Sequence, residues 1–468
     1  MNKISISDIQ KKLNSNTFCI LPWIHLSTRP GGVVRVCCTA NASSVGPTND
    51  KKYGGMVGVL KSQEGHPINL NDHSLLEVWN SQYMKNVRLK MLNGEKPPSC
   101  LKCYKEEESG FSSKRMWETE YWFNKLKDEA FDIISNTKED GSVEPKLIYL
   151  DLRFGNKCNL SCIMCSPHDS SLWIPLWNQY YEKIKNPSLK EISQWKKENN
   201  PDGKYNWYKN NMSFWEELYN QIPYMKQLYF AGGESTIIDE HYDLLEKIVN
   251  NGHANEIELR YNSNGIVLPE KLFELWSKFN KVRFHFSIDS IKEMNDYIRY
   301  PSKWEIIEKN LERLDNTPDN IEVTIACALQ VLNIYYIPEF IKWKLEKNYK
   351  KINKWPYGAG MINFHLVYHP PHLNIKILPK SFKEKIEEKY EQFFSWLEKN
   401  WELSGAPSLT DFLHAPYGIK RMKGLLKFMN SENWDNRIDE FKEYIILMDK
   451  LRNTDFRKIF PEMAFLLD

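Results

Sequence analysis

The stretch LIYLDLRFGNKCNLSCIMC, residues 147–165, joins a hydrophobic segment to three closely spaced cysteines. Its first part, 147–154, predicts a β-strand, because it is rich in apolar and aromatic residues that suit strands. Cys158, Cys162 and Cys165 follow directly in the pattern C-x3-C-x2-C. In α/β folds, the loops at the carboxyl ends of parallel strands carry the functional residues. We therefore expect these thiols to hold a metal centre.

Three cysteines are one short of the four ligands that close a structural metal site. Three thiolates can bind three irons of a 4Fe-4S cluster and leave the fourth iron without a protein ligand. That iron would then be free to bind a small molecule. A structural zinc site, with His168 as a nearby fourth ligand, is the alternative that the spacing leaves open.

The segments downstream of the cysteines alternate between strand-like and helix-like patterns. Helical periodicity occurs between strands, for example at 239–252, 269–279 and 337–348. This alternation predicts βα units and a parallel sheet. Six such units are too few for an eight-fold barrel, so we predict an α/β fold with a partial (β/α)6 TIM-like barrel. The strands predicted after the first one cover residues 227–234, 256–265, 282–290, 321–330 and 361–368.

Three regions are predicted along the chain. Residues 1–125 form a cysteine-rich N-terminal domain with one helix at 74–92, and a charged helix and loop connect it to the next region. Residues 146–379 form the barrel, with a polar, tryptophan-rich insertion at 186–217 that we expect on the surface. Residues 380–468 show helical periodicity and are predicted to form a helical C-terminal extension.

Composition limits the classes of function. The 468 residues include 63 Lys and Arg against 61 Asp and Glu, a net charge of +2. This balance disfavours non-specific nucleic-acid binding, which usually needs a basic excess. The N-terminus lacks the apolar segment of a signal peptide, and no run of about 18 apolar residues could span a membrane. We expect a cytoplasmic protein whose thiols stay reduced.

The motif C-x3-C-x2-C after a first barrel strand resembles the signature of radical S-adenosylmethionine (SAM) enzymes. The resemblance, which covers about residues 146–370, implies that SAM binds the open iron of a 4Fe-4S cluster through its amino and carboxylate groups. It implies that an electron from the cluster cleaves SAM to a 5′-deoxyadenosyl radical, which abstracts hydrogen from a substrate. A small-molecule or peptide substrate and an electron donor such as flavodoxin or ferredoxin would be the partners.

Other motifs follow the strands in the order that this resemblance implies. Gly232-Gly233-Glu234 comes after the second strand and would bind the methionine ammonium of SAM. Glycines allow the backbone to approach a ligand closely there. Asn264, in the turn Ser263-Asn264-Gly265 after the third strand, would lie near the cofactor.

The resemblance also assigns the other end of the cofactor. Ser287 and Asp289, at the end of the fourth strand, would bind the ribose hydroxyls, since a carboxylate accepts well from a diol. Arg299 would pair with the methionine carboxylate. Met164 and the backbone at Val331 would border the adenine.

Four early cysteines resemble the first half of the SPASM pattern: Cys19, the segment Gly32-x4-Cys37, and Cys100-x2-Cys103. Three further cysteines of that pattern are missing, which implies a shorter, twitch-like module with one auxiliary 4Fe-4S cluster. In much of the family this module follows the barrel, whereas here it precedes it.

The neighbouring Cys38 is the spare thiol of this region. Adjacent residues of an extended strand face opposite sides, so only one of Cys37 and Cys38 is expected to be a ligand. A four-cysteine zinc site is the alternative to a cluster.

Three further positions could contact a substrate. Cys327, in the fifth strand, is a candidate catalytic residue that could return a hydrogen atom to a substrate radical, as in some radical SAM enzymes; a buried structural thiol is the alternative. Asp151 and Arg153 share one face of the first strand and could bind a polar substrate or form a buried ion pair. The predicted activity is that of an oxidoreductase or of an epimerase or peptide-modifying enzyme. A non-catalytic zinc- or iron–sulfur-binding scaffold is the contrasting hypothesis.

Overall fold

The computed structural model describes residues 15–40, 58–108, 112–195, 203–209, 211–352, 362–414 and 418–468. These residues divide into two compact units. The N unit comprises the described parts of Met1–Asn156, Tyr205–Arg260 and Lys278–Asn280. The C unit comprises those of Lys157–Lys204, Tyr261–Ser277 and Lys281–Asp468. The three regions expected from the sequence stay a prediction.

Strands occur in both units. Their bounds among the described residues are β1 His25–Thr28, β2 Val34–Arg35, β3 Tyr149–Leu152, β4 Gln227–Phe230, β5 Glu258–Ser263, β6 Lys281–Ser287, β7 Ile321–Leu329 and β8 Asn363–Leu366. In the N unit, β1 pairs antiparallel with β2 and parallel with β3, and β3 pairs parallel with β4. In the C unit, β7 lies between β6 and β8 and is parallel to both. The fold is α/β with a parallel sheet, and a partial TIM barrel fits it, as predicted.

Helices connect and follow the strands. In the N unit they are α1 Leu21–Ile24, α2 Leu75–Trp79, α3 Gln82–Leu92, α4 Leu101–Glu108, α5 Lys114–Leu126, α6 Asp128–Ser135, α9 Met212–Asn220 and α10 Asp239–Asn250. In the C unit they are α7 Trp173–Lys183, α8 Pro187–Ile192, α11 Glu270–Trp276, α12 Lys292–Ile298, α13 Trp304–Asp315, α14 Val331–Ile334, α15 Ile337–Glu346, α16 Lys380–Lys399, α17 Leu409–His414, α18 Ile419–Asn430, α19 Ile438–Arg452 and α20 Phe456–Ile459.

All six predicted strands occur within their predicted ranges or one residue beyond them, as β3 to β8. Residue 361, the first of the last predicted strand, lies outside the described residues. Along β6, buried and half-buried residues strictly alternate, as expected for a strand between two different environments. All four residues of β3 are buried, in line with its apolar and aromatic composition.

Two features of the N unit differ from the sequence expectations. The single helix predicted at 74–92 is wrong, because the chain forms α2 and α3 with a break between them. Ser81 causes the break by capping α3, its side chain accepting from the Met84 amide at 3.4 Å. The strands β1 and β2 were not predicted, since four and two residues are too few for periodicity to be recognised.

Candidate cluster and cofactor sites

The loop with Cys158, Cys162 and Cys165 belongs to the C unit and is fixed by backbone hydrogen bonds. The Ser161 amide donates to the Tyr300 carbonyl at 2.7 Å, and the Ile163 amide donates to the Ile298 carbonyl at 2.8 Å. The loop is thereby held against the end of α12. Its last turn closes where the Cys165 amide donates to the Cys162 carbonyl at 2.9 Å.

The C-terminal helix α19 supports the same loop from another side. The Tyr444 hydroxyl donates to the Ile163 carbonyl at 2.6 Å. Arg452 donates to the Ser161 carbonyl, and its guanidinium lies over the rings of Trp173 and Tyr300 at 4.7 and 5.1 Å. Helical periodicity alone did not reveal this role of the extension, because it depends on which loop the helix packs against.

The thiols of the loop interact with one another and with a cation. A hydrogen bond from Cys165 lowers the pKa of Cys162 and raises that of Cys165. Arg299 lowers the pKa of Cys162 further, and its Nη1 lies 3.8 Å from Cys162 Sγ. Such a positive neighbour favours the thiolate that a metal ligand needs. The donor set, three thiols with one thiolate stabilised, fits the iron–sulfur cluster expected from the sequence.

Arg299 also contacts Asp289, which the sequence assigned to the cofactor ribose. Arg299 Nε lies 2.9 Å from Asp289 Oδ2, and the Asp289 side chain is fully buried. The Ala328 amide donates to Asp289 Oδ1 at 2.6 Å. Burial raises the pKa of Asp289, against the opposing effect of Arg299. The two residues expected to bind opposite ends of SAM thus form a buried ion pair with each other.

Asn264 lies beside the first cysteine, as expected for a residue near the cofactor. Its side-chain amide donates to Asn159 Oδ1 at 2.7 Å and lies 3.9 Å from Cys158 Sγ. The turn requires glycine next to it. Gly265 has φ +64°, and a Cβ there would lie 2.3 Å from the Phe286 ring.

The remaining cofactor candidates of the C unit lie at strand ends and on the cysteine loop. Ser287 is the last residue of β6, and Val331 is the fully buried first residue of α14. Met164 and Cys165 line a cavity together with aromatic and histidine side chains. The other residues that line it are Ser166, His168, Asp169, Trp177, Tyr180, Ile192, Ser193, Gln194, Trp195, His369, Pro370, His372 and Tyr444.

Gly232-Gly233-Glu234 belongs to the N unit. Gly232 has φ +105°, a conformation that favours glycine, and a Cβ there would lie 3.1 Å from the Arg153 Cβ. The Glu234 side chain is buried and accepts from the Thr236 hydroxyl at 2.9 Å. The backbone at Gly232 can therefore be approached by a ligand that a side chain would exclude.

The four cysteines expected to bind the auxiliary cluster line one cavity of the N unit: Cys19, Cys37, Cys100 and Cys103. Cys38 is not among the residues lining it. The Thr39 hydroxyl lies 3.3 Å from Cys37 Sγ. The structure therefore brings together the predicted set and favours Cys37 over Cys38 as the ligand.

The electrostatics of this cavity suit a positively charged cluster. Burial raises the pKa of Cys19 and Cys100, and the neighbouring thiols raise both further. Burial likewise raises the pKa of Cys37 and Cys103. Four thiols whose pKa values are raised in this way become thiolates together only when a metal centre compensates their charge. Among the described residues, no three His, Cys, Asp or Glu side chains are grouped as ligands of a single metal ion.

Cys327 is fully buried within β7. Its Sγ lies 3.4 Å from Asn333 Nδ2 and 3.7 Å from the Asp289 carbonyl. Its register partner on β8, Phe364, is also fully buried. Burial, followed by the charge of Asp289, raises the pKa of this thiol well above its usual value. Its role as a hydrogen donor stays a prediction.

Comparisons with known proteins match both cysteine regions. A family model described as the radical SAM superfamily matches residues 152–325, and one described as SPASM, an iron-sulfur cluster-binding domain, matches residues 19–104. The chain contains a radical SAM domain with a SPASM domain before it. These domains imply SAM, a 4Fe-4S cluster and auxiliary iron–sulfur binding.

Individual relatives are distant. A curated protein named uncharacterized protein MJ0907, from Methanocaldococcus jannaschii, is 26% identical over 214 residues, which is 44% of this chain and 61% of that protein. The crystal structure of Streptococcus suis SuiB bound to S-adenosylmethionine is 11% identical, with a TM-score of 0.32, over 73% of this chain and 66% of SuiB. SuiB bound to precursor peptide SuiA gives 11% identity and a TM-score of 0.26, over 70% of this chain and 74% of SuiB. The chain thus spans less than two thirds of MJ0907.

Within the described ranges, no helix combines the length and apolar character needed to cross a bilayer.

Proposed function

We propose that the chain is a radical SAM enzyme that reductively cleaves SAM and abstracts a hydrogen atom from its substrate. The observation that carries the proposal is the thiol triplet Cys158, Cys162 and Cys165 on one loop, with Arg299 3.8 Å from Cys162 Sγ and Asn264 3.9 Å from Cys158 Sγ. With SAM bound, a reduced cluster held by these thiols would supply the electron that cleaves SAM to methionine and the 5′-deoxyadenosyl radical. Every other contribution comes from side chains and backbone groups that bind and orient.

We infer the role of each group from its surroundings. Gly232 and Gly233 expose backbone to the methionine ammonium, and Glu234 accepts from it. Arg299 holds the methionine carboxylate, and this requires its ion pair with Asp289 to loosen so that the carboxylate of Asp289 can turn to the ribose. We assign further contacts with SAM to Asn264, Ser287, Met164 and Val331.

The cavity of Cys19, Cys37, Cys100 and Cys103 is proposed to hold one auxiliary 4Fe-4S cluster. Four thiol ligands would leave no iron open, which favours electron transfer or a structural role over substrate ligation. After hydrogen abstraction, loss of one electron and one proton from the substrate radical would complete a two-electron oxidation. Return of a hydrogen atom from Cys327 would instead give epimerisation, and Cys327→Ala separates the two, since only epimerisation needs this thiol.

The substrate class stays open between a peptide, a sugar and another small metabolite. We also propose a reducing, cytoplasmic location, because seven cysteines reserved for clusters must remain thiols. A flavodoxin or ferredoxin would then be the electron donor.

Anaerobic reconstitution followed by reduction with dithionite tests the proposal. The wild-type protein should form 5′-deoxyadenosine and methionine from SAM, measured by liquid chromatography and mass spectrometry. Cys162→Ala should abolish this product, while Cys38→Ala, a matched loss of one thiol outside both proposed ligand sets, should retain it. A colourless protein that binds zinc and leaves SAM intact would establish the scaffold hypothesis instead.

A further inference from the structure

One face of the N-unit strands carries polar side chains on three adjacent strands. The register pairs Ser27 with Asp151 and Asp151 with Tyr229. Side chains two residues apart share a face, and paired residues of neighbouring strands point to the same side. These positions therefore form one surface, the inner polar face, whose polar members are His25, Ser27, Tyr149, Asp151, Gln227 and Tyr229, with Arg153 beside Asp151.

Two fully buried members of the inner polar face have polar atoms without partners. Gln227 is 0% exposed, and neither its amide oxygen nor its amide nitrogen makes a hydrogen bond. His25 is also 0% exposed; its Nδ1 lies 2.9 Å from the Tyr149 carbonyl, but its Nε2 has no partner. Buried polar atoms are nearly always hydrogen-bonded, so groups left without partners on one surface indicate a place where a ligand supplies them.

A charged pair on the same face is incompletely satisfied. The Ser27 hydroxyl donates to Asp151 Oδ2 at 2.8 Å. The other oxygen, Asp151 Oδ1, lies 3.4 Å from Arg153 Nε, and neither of these two atoms makes an aligned hydrogen bond. The guanidinium of Arg153 can therefore take a second, better-aligned acceptor.

Positive charge exceeds negative charge where this face meets Cys38. Lys114 lies at this face, with its Nζ 6.0 Å from the centre of the Tyr149 ring, and Arg153 is part of it. Arg35 adds a third cation, because its Nη1 donates to the Cys38 carbonyl at 2.9 Å. Against these three cations stand two carboxylates: Glu118, 2.6 Å from Lys114, and Asp151, 3.4 Å from Arg153.

The inner polar face adjoins the glycine motif. A Cβ at Gly232 would lie 3.1 Å from the Arg153 Cβ. If that motif binds the methionine end of SAM, as proposed above, a molecule held by Arg153 lies next to the cofactor.

We propose that the inner polar face is the substrate site and that it takes a small polar molecule bearing a carboxylate. Lys114 and Arg153 hold the carboxylate, and Gln227 and His25 Nε2 bond to the polar remainder of the molecule. This inference rests on the proposed function, because it takes the bound molecule to be the substrate of the radical reaction.

Cys38 gives a chemical test that needs no known substrate. It is half-buried, and in the cluster-loaded protein it remains unligated together with the fully buried Cys327. Iodoacetate and iodoacetamide both alkylate a thiolate by displacing iodide, but only iodoacetate carries a carboxylate. The ratio of their rates is therefore independent of how far the thiol is ionised. Peptide mass mapping of the anaerobic, cluster-loaded protein reports the rate at Cys38.

We expect the alkylation rate at Cys38 to saturate with increasing iodoacetate concentration and to rise linearly with iodoacetamide concentration. The initial rate with iodoacetate divided by that with iodoacetamide should exceed the same ratio for free cysteine by about fivefold for each uncompensated cation near the thiol. Lys114→Gln should lower the ratio, and Asp151→Asn, which keeps the bond to Ser27, should raise it. Lys90→Met, a matched charge loss at an exposed lysine paired with Glu95, should leave it unchanged.

Two results would overturn the inference. One is a rate that rises linearly with the concentration of both reagents; the other is a rate ratio that Lys114→Gln fails to lower or Asp151→Asn fails to raise. The alkylation does not require SAM cleavage. If the protein cleaves SAM but Cys38 is alkylated without preference for iodoacetate, this inference alone is refuted. If Cys38 prefers iodoacetate but the protein does not cleave SAM, the proposed function alone is refuted.

Discussion

Arg299 connects Asp289 to a cluster thiol: its Nε lies 2.9 Å from Asp289 Oδ2, and its Nη1 lies 3.8 Å from Cys162 Sγ. Asp289 is fully buried and Arg299 is 9% exposed. A single guanidinium thus compensates both a carboxylate and a thiolate. Burial opposes its charge, but Asp289 and Cys162 outweigh burial and raise the pKa of Arg299.

Removal of this guanidinium should destabilise the protein strongly. Arg299→Met leaves Asp289 as an uncompensated buried charge, and such losses cost about 3–5 kcal/mol of unfolding free energy. Arg299→Met combined with Asp289→Asn should recover most of the loss, because the unpaired charge is then absent. Urea unfolding of the two variants, followed by circular dichroism, measures the difference. Equal stability of the single and double variants would contradict the ion-pair account.

The amide of Asn264 should tune the potential of the cluster held by Cys158, Cys162 and Cys165. Hydrogen bonds to cluster sulfurs raise the reduction potential, since they stabilise the more negative, reduced state. Asn264→Ala should lower the reduction potential by several tens of millivolts. For a one-electron couple, about 59 mV corresponds to a tenfold change in the equilibrium constant. Potentiometric titration followed by electron paramagnetic resonance measures it. The exposed-site variant Asn251→Ala is the control and should not shift the potential.

Iron content should distinguish Cys37 from Cys38. Cys37 lines the four-thiol cavity and Cys38 does not. Cys37→Ser should lose the auxiliary cluster and retain about four irons per chain, whereas Cys38→Ser should keep about eight. Iron and acid-labile sulfide assays after anaerobic reconstitution give both values. Loss of four irons in Cys38→Ser would reverse the ligand assignment.

Stability should depend on pH through Lys344 of α15. Burial lowers the pKa of this fully buried lysine to about 7. Between about pH 7 and the unfolded pKa near 10.4, the unfolded chain binds the proton and the folded chain does not, so stability rises with pH across this window by up to about 5 kcal/mol. Lys344→Met removes the ionisable group. The variant should therefore be more stable than the wild type at pH 7, with a difference that shrinks towards pH 10.

Denaturant unfolding of both proteins across this pH range measures the difference. Lys385→Met, the same substitution at an exposed position, serves as the control and should show no such trend. A constant difference between Lys344→Met and the wild type from pH 7 to pH 10 would show that Lys344 is charged when folded.

The sequence by itself determined the six barrel strands and both cysteine sets, because alternation and spacing are local properties. The resemblance to radical SAM enzymes predicted Asn264 near the cofactor, and the structure shows it 3.9 Å from Cys158 Sγ. The sequence did not determine that Arg299 pairs with Asp289, that α19 supports the cysteine loop, or that Cys37 rather than Cys38 lines the cavity. Of the inner polar face the sequence indicated only Asp151 and Arg153, since β1 is four residues long and its polar residues have meaning only beside β3 and β4. Only the tertiary structure decided these points, because hydrogen bonds, ion pairs and burial depend on residues far apart in the chain. Cys162 and Arg299, for example, are separated by 137 positions in the sequence.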